Sequence, residues 1–314
     1  MTDSATQTSL LHNAKQLISC KAFVLDSRSL HYYTGLESYE KFTMILCTLG
    51  PAAYSLNYFA GVKPTLTVED QFFLTLTKLR VHHPHQELSI LFGINEKQVS
   101  NIFITWINFM YLQWSEINWW PSQSLVRYYM PSDFKAKYPK TRVIADGTEC
   151  PIMKPTQPIA QQATFSTYKN RNTIKALVGI TPGGLVSYVS PAYAGSASDR
   201  QIVEATGFQT LCDPYDEVMA DKGFNVDDIF APYQVGVNIP AFFRKKNRLS
   251  QATVMKDRKI ASKRVHVERS IGLAKTYKIL QQPMNSTESC LGTQIIGVCF
   301  FLSNFRKCII SLDA

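Results

Sequence analysis

Val143-Ile144-Ala145-Asp146-Gly147-Thr148 and Val218-Met219-Ala220-Asp221-Lys222-Gly223-Phe224 are the stretches that decide the fold of this chain. Each begins as a short apolar run of strand character and ends on an aspartate. Laid side by side and parallel, two such strands bring both carboxylates to one edge of a sheet. Between them, residues 173–181 and 185–190 flank Pro182-Gly183-Gly184, whose turn chemistry predicts a hairpin. Ser198 or Asp199 then caps a helix running to about Ala205, and residues 235–239 predict another strand. A long helix over 257–280 carries Glu268, and an apolar helix over 294–310 follows. The pattern is that of an α/β domain, a mixed sheet flanked by helices, starting near Thr141.

The order of these pieces has a chemical consequence. A helix packed on the sheet can add Glu268 beside Asp146 and Asp221. Three carboxylates around one point repel one another unless cations join them, so the cluster implies bound Mg²⁺ or Mn²⁺. Two such ions about 4 Å apart can activate a water or a 3′-hydroxyl and stabilise the leaving oxygen of a phosphodiester. Asp199, in Gly-Ser-Ala-Ser-Asp, is either a helix cap or a further metal ligand.

Upstream of the sheet the periodicity is helical. Thr67 and Asp70 form a capping arrangement, and Phe72, Phe73, Leu76 and Leu79 give one apolar face. Pro84 ends that helix, 85–92 predicts a second, and Gly93-Ile94 turns into a third capped by Asn95 and Gln98. Val99, Ile102, Phe103, Trp106, Ile107 and Met110 make its buried side. Short helices joined by a glycine turn read as a helix-turn-helix, in which Glu96, Lys97, Ser100 and Asn101 would face DNA. The same pattern also suits an ordinary three-helix packing unit. The organisation expected is a helical region over 1–64, the helix-turn-helix over 65–113, a Pro-punctuated connector over 114–140, and the α/β domain over 141–314.

Charge points the same way. The 314 residues carry a net charge of +9. Between Arg244 and Arg264 lie Arg244, Lys245, Lys246, Arg248, Lys256, Arg258, Lys259, Lys263 and Arg264 against one acid, Asp257, so this segment holds nearly all of the excess. Such a stretch suits a polyanion, here double-stranded DNA held by its phosphates. The seven scattered cysteines lack zinc-type spacing and read as reduced thiols of an intracellular protein. The N-terminus has no signal pattern, and the longest apolar run, 295–302, is far short of the roughly 20 residues that span a bilayer. No membrane association is expected.

Taken in order, Asp-Gly-Thr-Glu (146–149), Tyr-Lys-Asn (168–170), Gly-Ser-Ala-Ser-Asp (195–199), Ala-Asp-Lys-Gly-Phe (220–224) and Arg-Val-His-Val-Glu-Arg (264–269) behind a helix-turn-helix make a specific signature. From about Glu69 to Leu280 the chain resembles DDE-type transposases of the PIF/Harbinger group, relatives of IS5-type bacterial transposases, and the nucleases derived from them. The resemblance implies a ribonuclease H-like sheet with Asp146, Asp221 and Glu268 as metal-binding triad, Asp199 as an additional ligand, and strand transfer after cleavage at transposon ends. Arg264, Glu268 and Lys275 match an R-x3-E-x6-K pattern of related bacterial enzymes, although Ala261 replaces the tyrosine that usually precedes it. Arg264 and Lys275 would then flank the metal site and contact DNA phosphates, while the basic stretch with Arg244, Lys245, Lys246 and Arg248 would hold DNA backbone. The same resemblance implies a Myb-like DNA-binding partner, nuclear residence, and a homo-oligomer on DNA. The competing readings are a domesticated, non-catalytic DNA- or protein-binding factor and an RNA- or flap-directed nuclease on the same core.

Overall fold

The computed structural model describes residues 16–221, 223–240, 251–307 and 310, with the backbone alone at 251–259 and 261. The chain divides into two compact units, one of residues up to Ile117 plus Lys275–Gln282, the other of Asn118–Ala274 plus the residues from Pro283 on. Of the connector expected over 114–140, residues 118–140 group with the second unit.

The first unit is helical: α1 (Ser27–Thr34), α2 (Tyr39–Thr48), α3 (Val68–Val81), α4 (His85–Phe92) and α5 (Glu96–Ser115). The caps fall where the sequence placed them. Thr67 accepts the Asp70 amide, Gly93 ends α4 in the left-handed conformation (φ +64°), and Asn95 with Gln98 forms a reciprocal capping box. Phe72, Phe73, Phe92, Val99, Ile102 and Trp106 fill the core among these helices. A polar knot pins it: Gln71 Oε1 accepts from Trp106 Nε1 (3.0 Å) and Tyr58 Oη (2.6 Å), while Gln71 Nε2 donates to Leu66 O.

In the second unit α6 (Gln123–Tyr128) and α7 (Ser132–Lys137) lead into β1 (Thr141–Pro151). There follow α8 (Pro158–Thr164), β2 (Phe165–Ser166), β3 (Arg171–Ile180), β4 (Val186–Val189), β5 (Tyr193–Ala194) and α9 (Asp199–Thr206). Then come β6 (Glu217–Met219), α10 (Asp227–Phe230), β7 (Gly236–Asn238), α11 (Gln251–Lys275), α12 (Ser286–Cys290) and α13 (Gly292–Asn304). The long helix starts earlier and ends earlier than the sequence suggested, and its last residue, Lys275, falls in the first unit.

The described strands form one sheet whose path is β2-β3-β1-β6-β7, with β4 and β5 also paired to β3. β3 runs antiparallel to β1 and β4, whereas β6 is parallel to β1 and β7 parallel to β6. The main order β4-β3-β1-β6-β7, antiparallel on one side of β1 and parallel on the other, is the ribonuclease H-like arrangement. The β3–β4 turn is closed by Thr181 N to Leu185 O (2.9 Å) and needs Gly184 at φ +94°.

Alternation along β1 sends Val143 and Ala145 into one apolar cluster with Leu177, Ile202, Phe208, Val218, Ala220 and Phe230. Each of these side chains loses most or all of its water contact, worth about 1.5–3 kcal/mol for a large one. Asp146 points to the opposite face. It does not end a strand, as the sequence suggested, because β1 continues to Pro151 on the strength of its pairing with β3. What ends near Asp146 is the parallel neighbour: β6 pairs with β1 only as far as Ile144 opposite Met219. The loss of a partner strand beyond that level opens the sheet edge where Asp146 lies.

Candidate active site

Asp146, from mid-β1, and Asp221, two residues beyond the end of β6, are neighbours because their strands run parallel and in register. Glu268 comes from α11. The three carboxylates converge on one guanidinium. Arg264 Nη1 lies 2.9 Å from Asp221 Oδ1 and 4.0 Å from Glu268 Oε1, and Nη2 lies 3.5 Å from Asp146 Oδ2. Arg264 and Glu268 are one helical turn apart, which puts both on the side of α11 that faces the acids.

The opposite side of β1 carries a second ion pair. Lys175 Nζ, from β3, lies 2.9 Å from Asp199 Oδ1 at the start of α9. Gly147 has no side chain in the space these two fill: a Cβ there would stand 2.5 Å from Asp199 Oδ1 and 2.9 Å from Lys175 Cε. Asp199 is not the helix cap. Ser198 takes that role, accepting the Gln201 amide in a capping box, and leaves Asp199 free to pair with Lys175.

Electrostatics single out Asp146. Burial pushes its carboxyl up to about 6, with Asp221 and Asp199 adding repulsion, against the opposing pull of Arg264 and of the Gly147 amide hydrogen bond. An acid in this state gains most from a nearby cation. Among the described residues no three His, Cys, Asp or Glu side chains are already gathered at metal-ligand spacing. The donor chemistry nevertheless fits a hard divalent ion. Every anionic donor is a carboxylate oxygen, and Thr148 Oγ1, two residues along β1 on the Asp146 side, is buried with no hydrogen-bond partner among the described residues. The residues that would hold such an ion are Asp146, Asp221 and Glu268, whose spacing here is that of acids gathered about a guanidinium.

Two family models match the chain: the DDE superfamily endonuclease over residues 145–304, and the helix-turn-helix of DDE superfamily endonuclease over residues 64–116. The first spans half of the chain and covers every acid described above. The chain belongs to the DDE superfamily endonucleases. No curated protein and no solved structure gives a match to the chain. In this DDE endonuclease the helix-turn-helix match coincides with α3, α4 and α5 of the first unit.

Several expected contacts stand differently. Asn101, placed on the DNA-facing surface by the sequence, is only 5% exposed. Its side chain accepts from Ala60 N (2.7 Å) and donates to Val62 O (2.9 Å), so it anchors the preceding loop and cannot read a base edge. Lys97 is exposed and Ser100 half-buried in the first turns of α5. Arg264, expected on DNA phosphates, is turned inward instead, because a guanidinium next to three acids at a sheet edge is held by them. Lys263 of the same basic stretch is likewise buried, paired with Asp133 and set over the Phe134 ring at 5.2 Å. Arg244, Lys245, Lys246 and Arg248 lie outside the described residues. Glu149 accepts Thr173 Oγ1 (2.8 Å), a contact between neighbouring strands. His266 is buried edge-on to Phe134, and desolvation holds its ring below the usual histidine value, a packing role.

Sequence reasoning missed Lys175. The signal was present: a single cation in Ile174-Lys175-Ala176-Leu177-Val178-Gly179-Ile180, an otherwise apolar strand, has to meet an anion when the strand is buried.

Proposed function

We propose that this DDE endonuclease is a divalent-metal-dependent transposase that hydrolyses phosphodiesters at the ends of a DNA element and transfers the freed 3′-hydroxyl to target DNA. The observation that carries this reading is the convergence of Asp146, Asp221 and Glu268, from three separate elements, on one cationic point at the open edge of the sheet. Magnesium or manganese, as one ion or a pair, would supply Lewis acidity and lower the pKa of the attacking water. The chain's own part is to hold that point. Asp146 and Asp221 fix it from the rigid sheet, and Glu268 approaches from α11. Asp199, tied to Lys175 behind Gly147, adds negative field and serves as a further ligand if it swings across. Arg264 keeps the acids together while no other cation is present. Lys97 and Ser100 at the start of α5 contact DNA, and Arg244, Lys245, Lys246, Arg248 and Lys275 add phosphate contacts.

The PIF/Harbinger resemblance extends the reading to a nuclear protein that works with a Myb-like DNA-binding partner. Joining two ends calls for at least two copies on DNA. One observation favours a second reading, a non-catalytic DNA-binding factor that retains the fold: Arg264 already gives the three acids a shared cationic partner, which offsets part of their repulsion without metal. Cleavage of labelled duplex DNA separates the two. The transposase reading expects cuts that need Mg²⁺ or Mn²⁺ and vanish in Asp146→Ala, Asp221→Ala and Glu268→Ala. Wild-type protein that binds DNA but never cuts, with or without a Myb-like partner, would establish the binding factor instead.

A further inference from the structure

The strand that carries Lys175 extends well past the acids. Asp146 stands opposite Val178, and Arg171, where β3 begins, is seven residues further along. At about 3.3 Å per residue the β2–β3 hairpin therefore reaches some 23 Å beyond the level of Asp146. It projects in the direction of the C-terminal end of β1, the side on which the acids sit.

Three features mark this hairpin. First, its charge is of one sign. Between Glu149 and Asp199 the chain has no Asp or Glu, but it has Lys154, Lys169, Arg171 and Lys175, of which the first three are exposed. Second, its tip presents an aromatic ring. Tyr168 is 82% exposed, with the Lys169 ammonium 4.4 Å from the ring centroid on one side. Third, the tip is braced. Asn170 takes the left-handed conformation (φ +51°) that asparagine tolerates, and Lys169 N donates to Ser166 Oγ (3.2 Å). At the base, Asn172 Nδ2 donates to Gln161 O and Thr164 Oγ1, both at 2.8 Å, which ties the hairpin to α8. A fixed, exposed tyrosine costs solubility and contributes nothing to this unit's core.

We propose that the β2–β3 hairpin is a DNA-engaging arm, with Tyr168 stacking on an unpaired base and Lys169 and Arg171 holding the adjoining phosphates. Bases inside a duplex are already stacked on their neighbours, so a side chain at a tip can stack only on a base that is unpaired or displaced. The 23 Å reach corresponds to about seven base steps of 3.4 Å, which places such a base several steps from the phosphate at the acids. Lys169 over one face of the ring leaves the other face for the base and puts an ammonium next to the strand. This inference rests on the reading of the protein as a DNA enzyme.

The test is fluorescence anisotropy of the full chain, without divalent cation, on a labelled blunt duplex and on the same duplex with a short 3′ single-stranded tail. Wild type should bind the tailed DNA about tenfold more tightly, the worth of one aromatic stack. Tyr168→Ala should bring tailed DNA to the level of the blunt duplex, and Tyr168→Phe should keep the preference. Lys169→Ala should weaken binding of the tailed DNA more than that of the blunt duplex and flatten the salt dependence on the tailed DNA by about one unit of slope; equal weakening of both would overturn the phosphate contact beside the stacked base. A wild type without preference for the tail, or a Tyr168→Ala variant that keeps it in full, overturns the arm while leaving the enzyme reading in place. Wild type that binds neither DNA overturns that reading, and the arm with it.

Discussion

Asp70 in the helical unit is buried and Asp146 in the sheet unit largely so, yet their surroundings drive the two aspartates in opposite directions. Burial alone would raise the Asp70 carboxyl, but hydrogen bonds from Gln16, Cys20 and Ser19 overcome it and hold the acid below its usual value. These donors stand at 3.0 Å (Gln16 Nε2), 2.8 Å (Cys20 N) and 2.9 Å (Ser19 Oγ). Asp146 accepts from the Gly147 amide (2.9 Å), has one guanidinium nitrogen at 3.5 Å, and faces two other aspartates, and its carboxyl climbs to about 6. The first acid is fully provided for and holds an N-terminal segment onto α3. The second is left short of partners, a state that costs stability and is kept where a cation or a reaction can use it. The difference between the two separates architecture from chemistry in this molecule.

The largest expected effect is on the architectural side. Asp70→Ala strands the three donors and should lower the unfolding free energy by about 3 kcal/mol in urea titrations. A loss below about 1 kcal/mol would mean water replaces the carboxylate, and the contrast with Asp146 would collapse.

Removing Arg264 comes next. Arg264→Met leaves three acids without their counter-ion and should cost about 2 kcal/mol at neutral pH, less than a fully buried pair because Asp221 and Glu268 are more than half exposed. The cost should shrink as the pH falls and the acids take up protons. A pH-independent loss would assign Arg264 a packing role.

Asp146→Asn works in the opposite direction. Because the folded carboxyl lies near 6 and the unsubstituted value is 3.8, the folded state holds the extra proton between these limits. The stability this proton contributes is fully present below pH 3.8 and is lost as the pH rises through 6. Asparagine imitates the protonated acid, so the variant should be more stable than wild type by about 1 kcal/mol at pH 7, a figure reduced by the forfeited Arg264 contact, and no more stable near pH 4. Denaturant midpoints at the two pH values measure this. A variant less stable than wild type at pH 7 would show that the Arg264 attraction outweighs burial.

The smallest effects fall on α5. Asn101→Ala should destabilise the helical unit by about 1 kcal/mol through the loop it anchors. Lys97→Ala should leave stability alone and weaken DNA binding a few-fold at every sequence, with a shallower salt slope. If the two variants behave the other way round, the surface assignment of α5 is inverted.

Much of this arrangement was legible in the residues. The helical unit follows its local signals closely, because Thr67, Pro84, Gly93 and the Asn95–Gln98 pair act on their immediate neighbours. The meeting of Asp146, Asp221 and Glu268 was also readable, since two apolar runs that each lead into an aspartate suit adjacent parallel strands and a later helix can add its glutamate. What escaped was non-local. The pairing of β1 beyond Asp146 depends on β3, thirty residues on, so the short apolar run understated the strand. Lys175 meets Asp199 only through the sheet, and Arg264 turns inward only because three acids await it. Asn101 has the spacing of a DNA-facing residue, and what buries it is a loop some forty residues earlier in the chain.

The central claim, that the acids at the sheet edge form a site for a divalent cation, is tested most directly by titrating Mn²⁺ into the full chain and following the free ion by electron paramagnetic resonance. The account predicts saturable uptake by wild type that is lost in Asp146→Asn, Asp221→Asn and Glu268→Gln, whereas Asp70→Asn binds as wild type does. Absence of uptake by wild type, or equal uptake in all of these variants, would contradict it.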